Sequence, residues 1–330
     1  MNLFEQFDLP FSPIQLLDDA LFESNKLKIF VKREDLIHPQ IHGNKWRKLK
    51  YNLSAFKSSG KPQILTFGGA FSNHIHATAA AGQLFNIKTI GVIRGERVAP
   101  LSPTLVFAEK CGMTLHFVSR EAYRHKEILL KELHDLYGDF YLLPEGGTNE
   151  YAIRGCMEIV EEVNLQLNYK PDYFCVACGT GGTLSGLILA CEPNQKIVGL
   201  CVLKNDNMFG EVTKILQTYL ISNKELTNNG FYLIKNNNLP TSFFLNTEYH
   251  FGGYAKWSPN LITFINDFKI KYGISLDPVY NGKMFYGVFD LINKGYFKEN
   301  STIVLVHTGG LQGIEGFNDF VLRKHNLVIE

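Results

Sequence analysis

The chain lacks a charge surplus: 33 lysine and arginine residues face 32 aspartate and glutamate residues, for a formal net charge of +1. With that balance no global field draws the protein to nucleic acid or to an anionic membrane. It also lacks any apolar run of the ~18–20 residues needed to cross a bilayer. The first residues, MNLFEQFDLP, are acidic and show no basic leader followed by an apolar core, so no signal peptide is visible. A cytoplasmic location is the expectation. No repeat of fixed period and no long low-complexity segment is found.

Cysteine is sparse, with six residues at 111, 156, 175, 178, 191 and 201. Cys175 and Cys178 form a CxxC, but it lies in YFCVAC, which reads as a buried strand, and no second CxxC or CxxH accompanies it. Free, buried, hydrophobic cysteines and no metal are therefore expected.

What is present is an ordinary globular mixture of 330 residues, 45% hydrophobic and 20% charged, long enough for two domains. Short apolar runs alternate with amphipathic stretches. Strands are predicted at 28–34, 63–69, 88–94, 114–119, 173–179, 196–203 and 302–310, with helices over 74–85, 102–112 and 150–167. That alternation predicts an α/β fold of parallel-rich sheets flanked by helices. The polar stretch 221–249, with its asparagine clusters, reads as loop.

Four glycine turns follow strand-like or apolar segments: FGGAFSNH (67–74), PEGGTNE (144–150), CGTGGTLSG (178–186) and HTGG (307–310). In open α/β sheets ligands sit at the carboxyl ends of strands, so four such turns point to a lined pocket. In GTGGTLSG, Gly179, Gly181 and Gly182 let backbone N–H groups approach an anion, and a helix start adds its dipole. Thr180 and Thr183 can donate to the same phosphate. The run lacks the GxGxxG spacing, and no acidic residue about twenty positions on marks a ribose. A single phosphate monoester fits better than a dinucleotide.

GNKWRKLKY (43–51) places Lys45, Arg47, Lys48 and Lys50 together. They form either a solvated basic face or, with Gly43-Asn44-Lys45 at a loop-to-helix start, an inward lysine whose lowered pKa makes it a nucleophilic amine. Ser72, Asn73 and His74 stand at a strand mouth before an alanine-rich helix. They either cap that helix or help dock a substrate carboxylate. GGAFSN is not the GxSxG elbow, and no acidic third member of a hydrolase triad can be assigned.

VKREDL, GNKWRKL, FGGAFSNH, PEGGTNEYAIRG, CGTGGTLSG, LDPVYNGKMFYG and HTGG follow one another over nearly the whole chain. Together they resemble the fold-type II pyridoxal-5′-phosphate (PLP) enzymes, specifically the 1-aminocyclopropane-1-carboxylate (ACC) deaminase and D-cysteine desulfhydrase family. The resemblance implies PLP as cofactor, a small amino-acid substrate, and a homodimer. It implies two domains of the tryptophan synthase β type, a large one from 1–48 plus 150–330 and a small one from 49–149, with the cofactor between them. By the same resemblance Lys45 is the Schiff-base lysine, Lys48 a phosphate contact, and Gly179, Thr180, Gly181, Gly182 and Thr183 the phosphate cradle. Asn73 would bond the cofactor's 3′-oxygen, while Ser72 and His74 would line the substrate carboxylate site. Tyr280 is expected on the cofactor face and Tyr254 near the substrate, with an aromatic core position as the plainer reading of each. Proton shuttling would fall to Tyr280 or Ser72.

Two positions bear on the reaction. In the ACC deaminases the residue after the DPVY tyrosine is a glutamate facing the pyridine nitrogen; here it is Asn281. Thr308, in HTGG, matches the threonine that desulfhydrase-like members point at that nitrogen. A hydroxyl there does not hold the ring nitrogen protonated as a carboxylate does, which favours α-proton abstraction and β-elimination to pyruvate and ammonia. Trp46 and the Tyr254-Ala255-Lys256 run also depart from the family pattern at places that would reshape the substrate pocket. Alternatives are ACC deaminase proper, an amino-acid racemase on the same fold, and a non-catalytic PLP- or nucleotide-binding protein.

Overall fold

The computed structural model describes residues 10–223 and 242–330. Among the described residues ten strands follow in chain order: β1 (Ile14–Leu17), β2 (Lys28–Lys32), β3 (Gln63–Gly68), β4 (Lys88–Arg94), β5 (Thr114–Val118), β6 (Tyr141–Leu143), β7 (Tyr173–Cys178), β8 (Lys196–Cys201), β9 (Ser242–Asn246) and β10 (Thr302–Val306). They form two sheets, one ordered β1-β2-β10-β7-β8-β9 and the other β5-β4-β3-β6. Only the edge strand β1 runs antiparallel, against β2; every other pair is parallel.

Parallel strands covered on both faces must be apolar on both faces, which explains why YFCVAC is buried at all six positions of β7. The described cysteines are free and buried apart from Cys111, which is partly exposed. β7 sits between β10 and β8 at the centre of the larger sheet. Its side chains divide between two core clusters: Cys175 with Met284 and Phe285 on one face, Val176 and Cys178 with Leu184 and Ile188 on the other.

The expected strands end earlier than the composition suggests. β2, β8 and β10 stop at Lys32, Cys201 and Val306; a 3₁₀ turn, Glu34–Leu36, follows β2, while the turns after β8 and β10 carry Leu203 and Thr308 to the cavity wall. The stretch 221–249 is not a continuous loop. The helix Met208–Ser222 reaches into its start, and SFFLN at 242–246 forms β9, paired in parallel with β8. A five-residue apolar strand is easily masked by the asparagine-rich composition before it. The rest of that expectation, 224–241, lies outside the described residues.

Two helices carry the structure from sheet to site. The helix Asn44–Ser59 packs against Glu150–Leu167 so closely that a Cβ on Gly155 would lie 1.9 Å from the Arg47 carbonyl oxygen. Glycine alone permits that crossing. Beside it, Arg47 donates to both Glu34 (2.8 Å) and Glu162 (2.6 Å), and Lys32 reaches Glu162 at 2.7 Å. Arg47 and Lys48 are only 3% and 2% exposed, which excludes a wholly solvated basic face for GNKWRKLKY.

Candidate active site

A cavity of about 510 Å³ opens where the carboxyl ends of both sheets meet. The smaller sheet supplies Gly69–His74 after β3; the larger supplies Gly179–Thr183 after β7 and Thr308 after β10. Lys45 and Lys48 enter from the first turns of the Asn44–Ser59 helix. Lys45, Lys48, Ser72, Asn73, His74, the Gly179–Thr183 turn, Tyr254, Tyr280 and Thr308 all line this one space, whereas Asn281 lies behind it and Trp46, expected to reshape the pocket, is buried in a separate apolar cluster.

The Lys45 helix starts at Gly43, whose φ is +63° and whose hypothetical Cβ would stand 2.0 Å from the Thr308 carbonyl oxygen. A side chain at 43 would therefore push the lysine helix off the HTGG turn. The Lys45 amine donates to Asn44 Oδ1 at 3.1 Å. Burial first, and then the neighbouring Lys48 charge, lower its pKa to about 7. An amine so placed is unprotonated in a substantial fraction, about half, at neutral pH and is nucleophilic in that form.

The phosphate-type cradle is closed by contacts between turns. Lys48 Nζ donates to Gly146 O (3.0 Å) and Thr148 Oγ1 (3.3 Å), and Thr148 Oγ1 bonds Thr180 Oγ1 at 2.9 Å. Thr183 Oγ1 accepts from Asn44 Nδ2 at 2.9 Å, and its hydroxyl also bonds the buried Cys156 thiol. The helix Gly182–Ala190 begins here, after Gly181 in the left-handed region. A Cβ on Gly182 would meet Thr148 Oγ1 at 2.7 Å and lie 3.2 Å from Lys48 Nζ.

Ser72 caps the helix Asn73–Leu84, its oxygen accepting from His74 N (3.2 Å) and Ile75 N (3.3 Å). Capping thus occupies the lone pairs while the hydroxyl proton remains available to the cavity. Asn73 Oδ1 accepts from Gln312 Nε2 at 2.9 Å, orienting the Asn73 amide. His74 is 2% exposed and contacts Thr66 Oγ1 at 2.9 Å. Burial and the charges of Lys45 and Lys48 hold its pKa well below the usual value, so the ring is neutral. The Tyr280 ring packs on Gly179, where a Cβ would come within 3.1 Å of its Cε1. Burial raises the Tyr280 pKa and keeps the phenol protonated.

Sequence reasoning missed three polar walls of the cavity, Arg94, Arg120 and Glu145. Arg94 ends β4 and Arg120 lies just past β5, so the rule that strand ends carry ligands would have found both. It also missed Asp277. That buried carboxylate accepts from Val279 N, Tyr280 N, Asn281 N and Asn281 Nδ2 at 2.6–3.0 Å, and Asn281 in turn holds Thr308. Among the described residues no cluster of histidine, cysteine, aspartate or glutamate is arranged to hold a metal. Nor is any described helix long and apolar enough to cross a membrane.

A parallel α/β scaffold with an inward lysine and a glycine-threonine cradle at the strand ends defines a phosphate-cofactor enzyme site. Residues 12–309 match the family model for pyridoxal-phosphate dependent enzymes, and the chain belongs to that family. It is 33% identical to a putative 1-aminocyclopropane-1-carboxylate deaminase of Pyrococcus horikoshii over 94% of this chain and 93% of that one. It is 28% identical to the bifunctional D-cysteine desulfhydrase/1-aminocyclopropane-1-carboxylate deaminase of Arabidopsis thaliana, over 88% of this chain and 74% of the relative. Among solved structures, an ACC deaminase homologue superposes with a TM-score of 0.79 at 29% identity, covering 96% of this chain and 94% of that chain.

The cofactor of the family is PLP, and the residues present suit it. Gly181 and Gly182, the Thr180 and Thr183 hydroxyls and the buried Lys48 amine line one side of the cavity, with Lys48 Nζ within 3.2 Å of where a Cβ on Gly182 would stand, a donor set of the kind that binds a phosphate. Lys45 shares the cavity with them.

Proposed function

We propose that the chain is a deaminating lyase of the D-cysteine desulfhydrase kind, acting by β-elimination on a small amino acid to give pyruvate and ammonia. The observation that carries this reading is the neutral floor of the cavity. Thr308 lines it beside Asn281, which fixes it from behind; the carboxylate packed against Asn281, Asp277, is engaged by three backbone N–H groups and the Asn281 amide, and Glu145 stands on another wall, in the PEGGTNE turn. No carboxylate takes the place of the glutamate found in the ACC deaminases.

In this reading Lys45 holds the cofactor, and Lys48, Thr180, Thr183 and the N–H groups of Gly179–Gly182 hold its phosphate. Bound PLP would supply an electron sink at the substrate's Cα. Ser72, Asn73 and the helix start behind them orient the substrate carboxylate, with neutral His74 supporting the turn. The Lys45 amine, when not engaged with the cofactor, would stand as the base for the Cα proton. Tyr280, protonated, delivers a proton to the departing β-substituent, and Tyr254 closes the substrate side. The Cα–H and Cβ–X bonds break, HX leaves, and water carries the remainder to pyruvate and ammonia.

A second reading, ACC deaminase giving 2-oxobutyrate and ammonia, draws support from the names of the relatives above. The same resemblance supports a homodimer with domain boundaries near residues 48 and 149, and the balanced charge and lack of a visible signal peptide support a cytoplasmic location. The test of the site is chemical. Borohydride reduction of the holoenzyme, followed by peptide mapping, should leave the cofactor mass on the peptide containing Lys45. An adduct on another lysine, or none, would refute the assignment.

A further inference from the structure

Lys283 lies two residues past Asn281 in LDPVYNGKMFYG and is 0% exposed. An ammonium has three donors, and all three go to main-chain carbonyls: Gly253 O at 2.7 Å, His250 O at 2.9 Å and Val202 O at 3.2 Å. None goes to a carboxylate. Burial lowers the Lys283 pKa to about 8 and the Asp277 charge opposes that fall. Removing a charge from water without a counter-charge is costly, so the carbonyl dipoles carry most of its stabilisation.

The carbonyls converge because the backbone is wound for it. Phe251, Gly252, Gly253 and Ala255 have φ of 55°, 98°, 126° and 53°. Two of those four are not glycine, and a left-handed turn at Phe251 and Ala255 persists only where its surroundings enforce it. The helix Asn281–Asn293 grips this segment at a second place. A Cβ on Gly287 would lie 2.8 Å from the Tyr249 ring, and Tyr249 Oη donates to Asp290 at 2.6 Å. The residue after Gly253 is Tyr254, which the turn delivers to the wall of the cavity.

A ring of carbonyl oxygens around a compact buried cation is the ligand set proteins use for bare monovalent ions. We infer that Lys283 is a positioning residue whose ammonium does the work of a bound monovalent cation, holding the 250–254 turn to the end of β8 and so placing Tyr254. The task given to Tyr254 rests on the proposed function; the caged cation does not. The chain thus carries its cation covalently and has no need of potassium or sodium.

The test exchanges the lysine for an ion. The wild-type holoenzyme and Lys283→Ala are compared in tetramethylammonium, sodium, potassium and ammonium chlorides at one ionic strength. Thermal unfolding and the visible cofactor band are read without substrate, and turnover with it. Wild type should be indifferent to the salt. Lys283→Ala in tetramethylammonium should lose activity by about 10²-fold, the scale of a misplaced contact group. Potassium or ammonium should restore most of it and raise Tm through binding to the folded state alone. A wild type that needs potassium would overturn the inference, as would a variant, folded or not, that no small cation rescues. If the chain turns over no amino acid, the functional reading fails, while the ion-selective Tm still decides the role of Lys283.

Discussion

Asn281 Oδ1 accepts two hydrogen bonds from one residue, the backbone N–H of Thr308 at 2.8 Å and its hydroxyl at 3.1 Å. The same amide donates to Asp277 Oδ1 and to Gly309 O, both at 2.6 Å. Asn281 is 0% exposed, so its loss leaves buried partners unmet. Asn281→Leu should destabilise the protein by about 2–5 kcal/mol, since each unsatisfied buried group costs about 1–3 kcal/mol. Urea denaturation measures it. Thr308→Val keeps the N–H bond and should spare stability while lowering kcat; equal kcat would exclude the hydroxyl from the chemistry.

The depressed pKa of Lys45 sets a pH dependence for cofactor capture by the apoprotein. The unprotonated amine is the reactive form, and its fraction falls as pH drops below about 7. The rate of PLP uptake should therefore fall roughly tenfold per pH unit below that point and level off above it. A rate still climbing toward pH 10 would mean that the lysine titrates as if in water.

Gly155 tests how the lysine helix is held. Its hypothetical Cβ would stand 1.9 Å from a backbone oxygen of Arg47, which cannot swing aside as a side chain can. Gly155→Ala should cost about 3 kcal/mol or more by overpacking, with a lower Tm and reduced cofactor content. Ala at Gly60, which has open space around it, is a control only for space, because its φ of +67° adds strain of its own.

The phosphate cradle can be probed one hydroxyl at a time. Thr183→Val removes a cavity hydroxyl held in place by Asn44. A hydrogen bond to a charged group is worth about 1.5–3 kcal/mol, so PLP affinity should fall by about tenfold or more. Fluorescence titration of the apoprotein reads it, and unchanged affinity would place the phosphate elsewhere.

The glycine turns and the lysine were legible because local chemistry at a strand end is written in consecutive residues: Asn44-Lys45, Ser72-Asn73-His74 and Gly179–Thr183 each form one wall of the cavity. The central strands were legible because burial on both faces demands an unbroken apolar run, as in β7. What stayed hidden depends on residues far apart in the chain. β9 becomes a strand by pairing with β8. Asp277 gains its importance from Thr308, and Lys283 from carbonyls 30 or more residues away. The solvated reading of Arg47 failed because its partners, Glu34 and Glu162, come from distant segments.

The central claim is β-elimination over a neutral cavity floor, and the 2-oxo acid released decides it. Holoenzyme should be incubated separately with D-cysteine and with ACC, and the products identified by mass spectrometry. Pyruvate and ammonia from D-cysteine, with no product from ACC, is the predicted result. 2-Oxobutyrate from ACC would contradict it, and would mean that Asn281 and Thr308 support the ring opening for which the ACC deaminases use a glutamate.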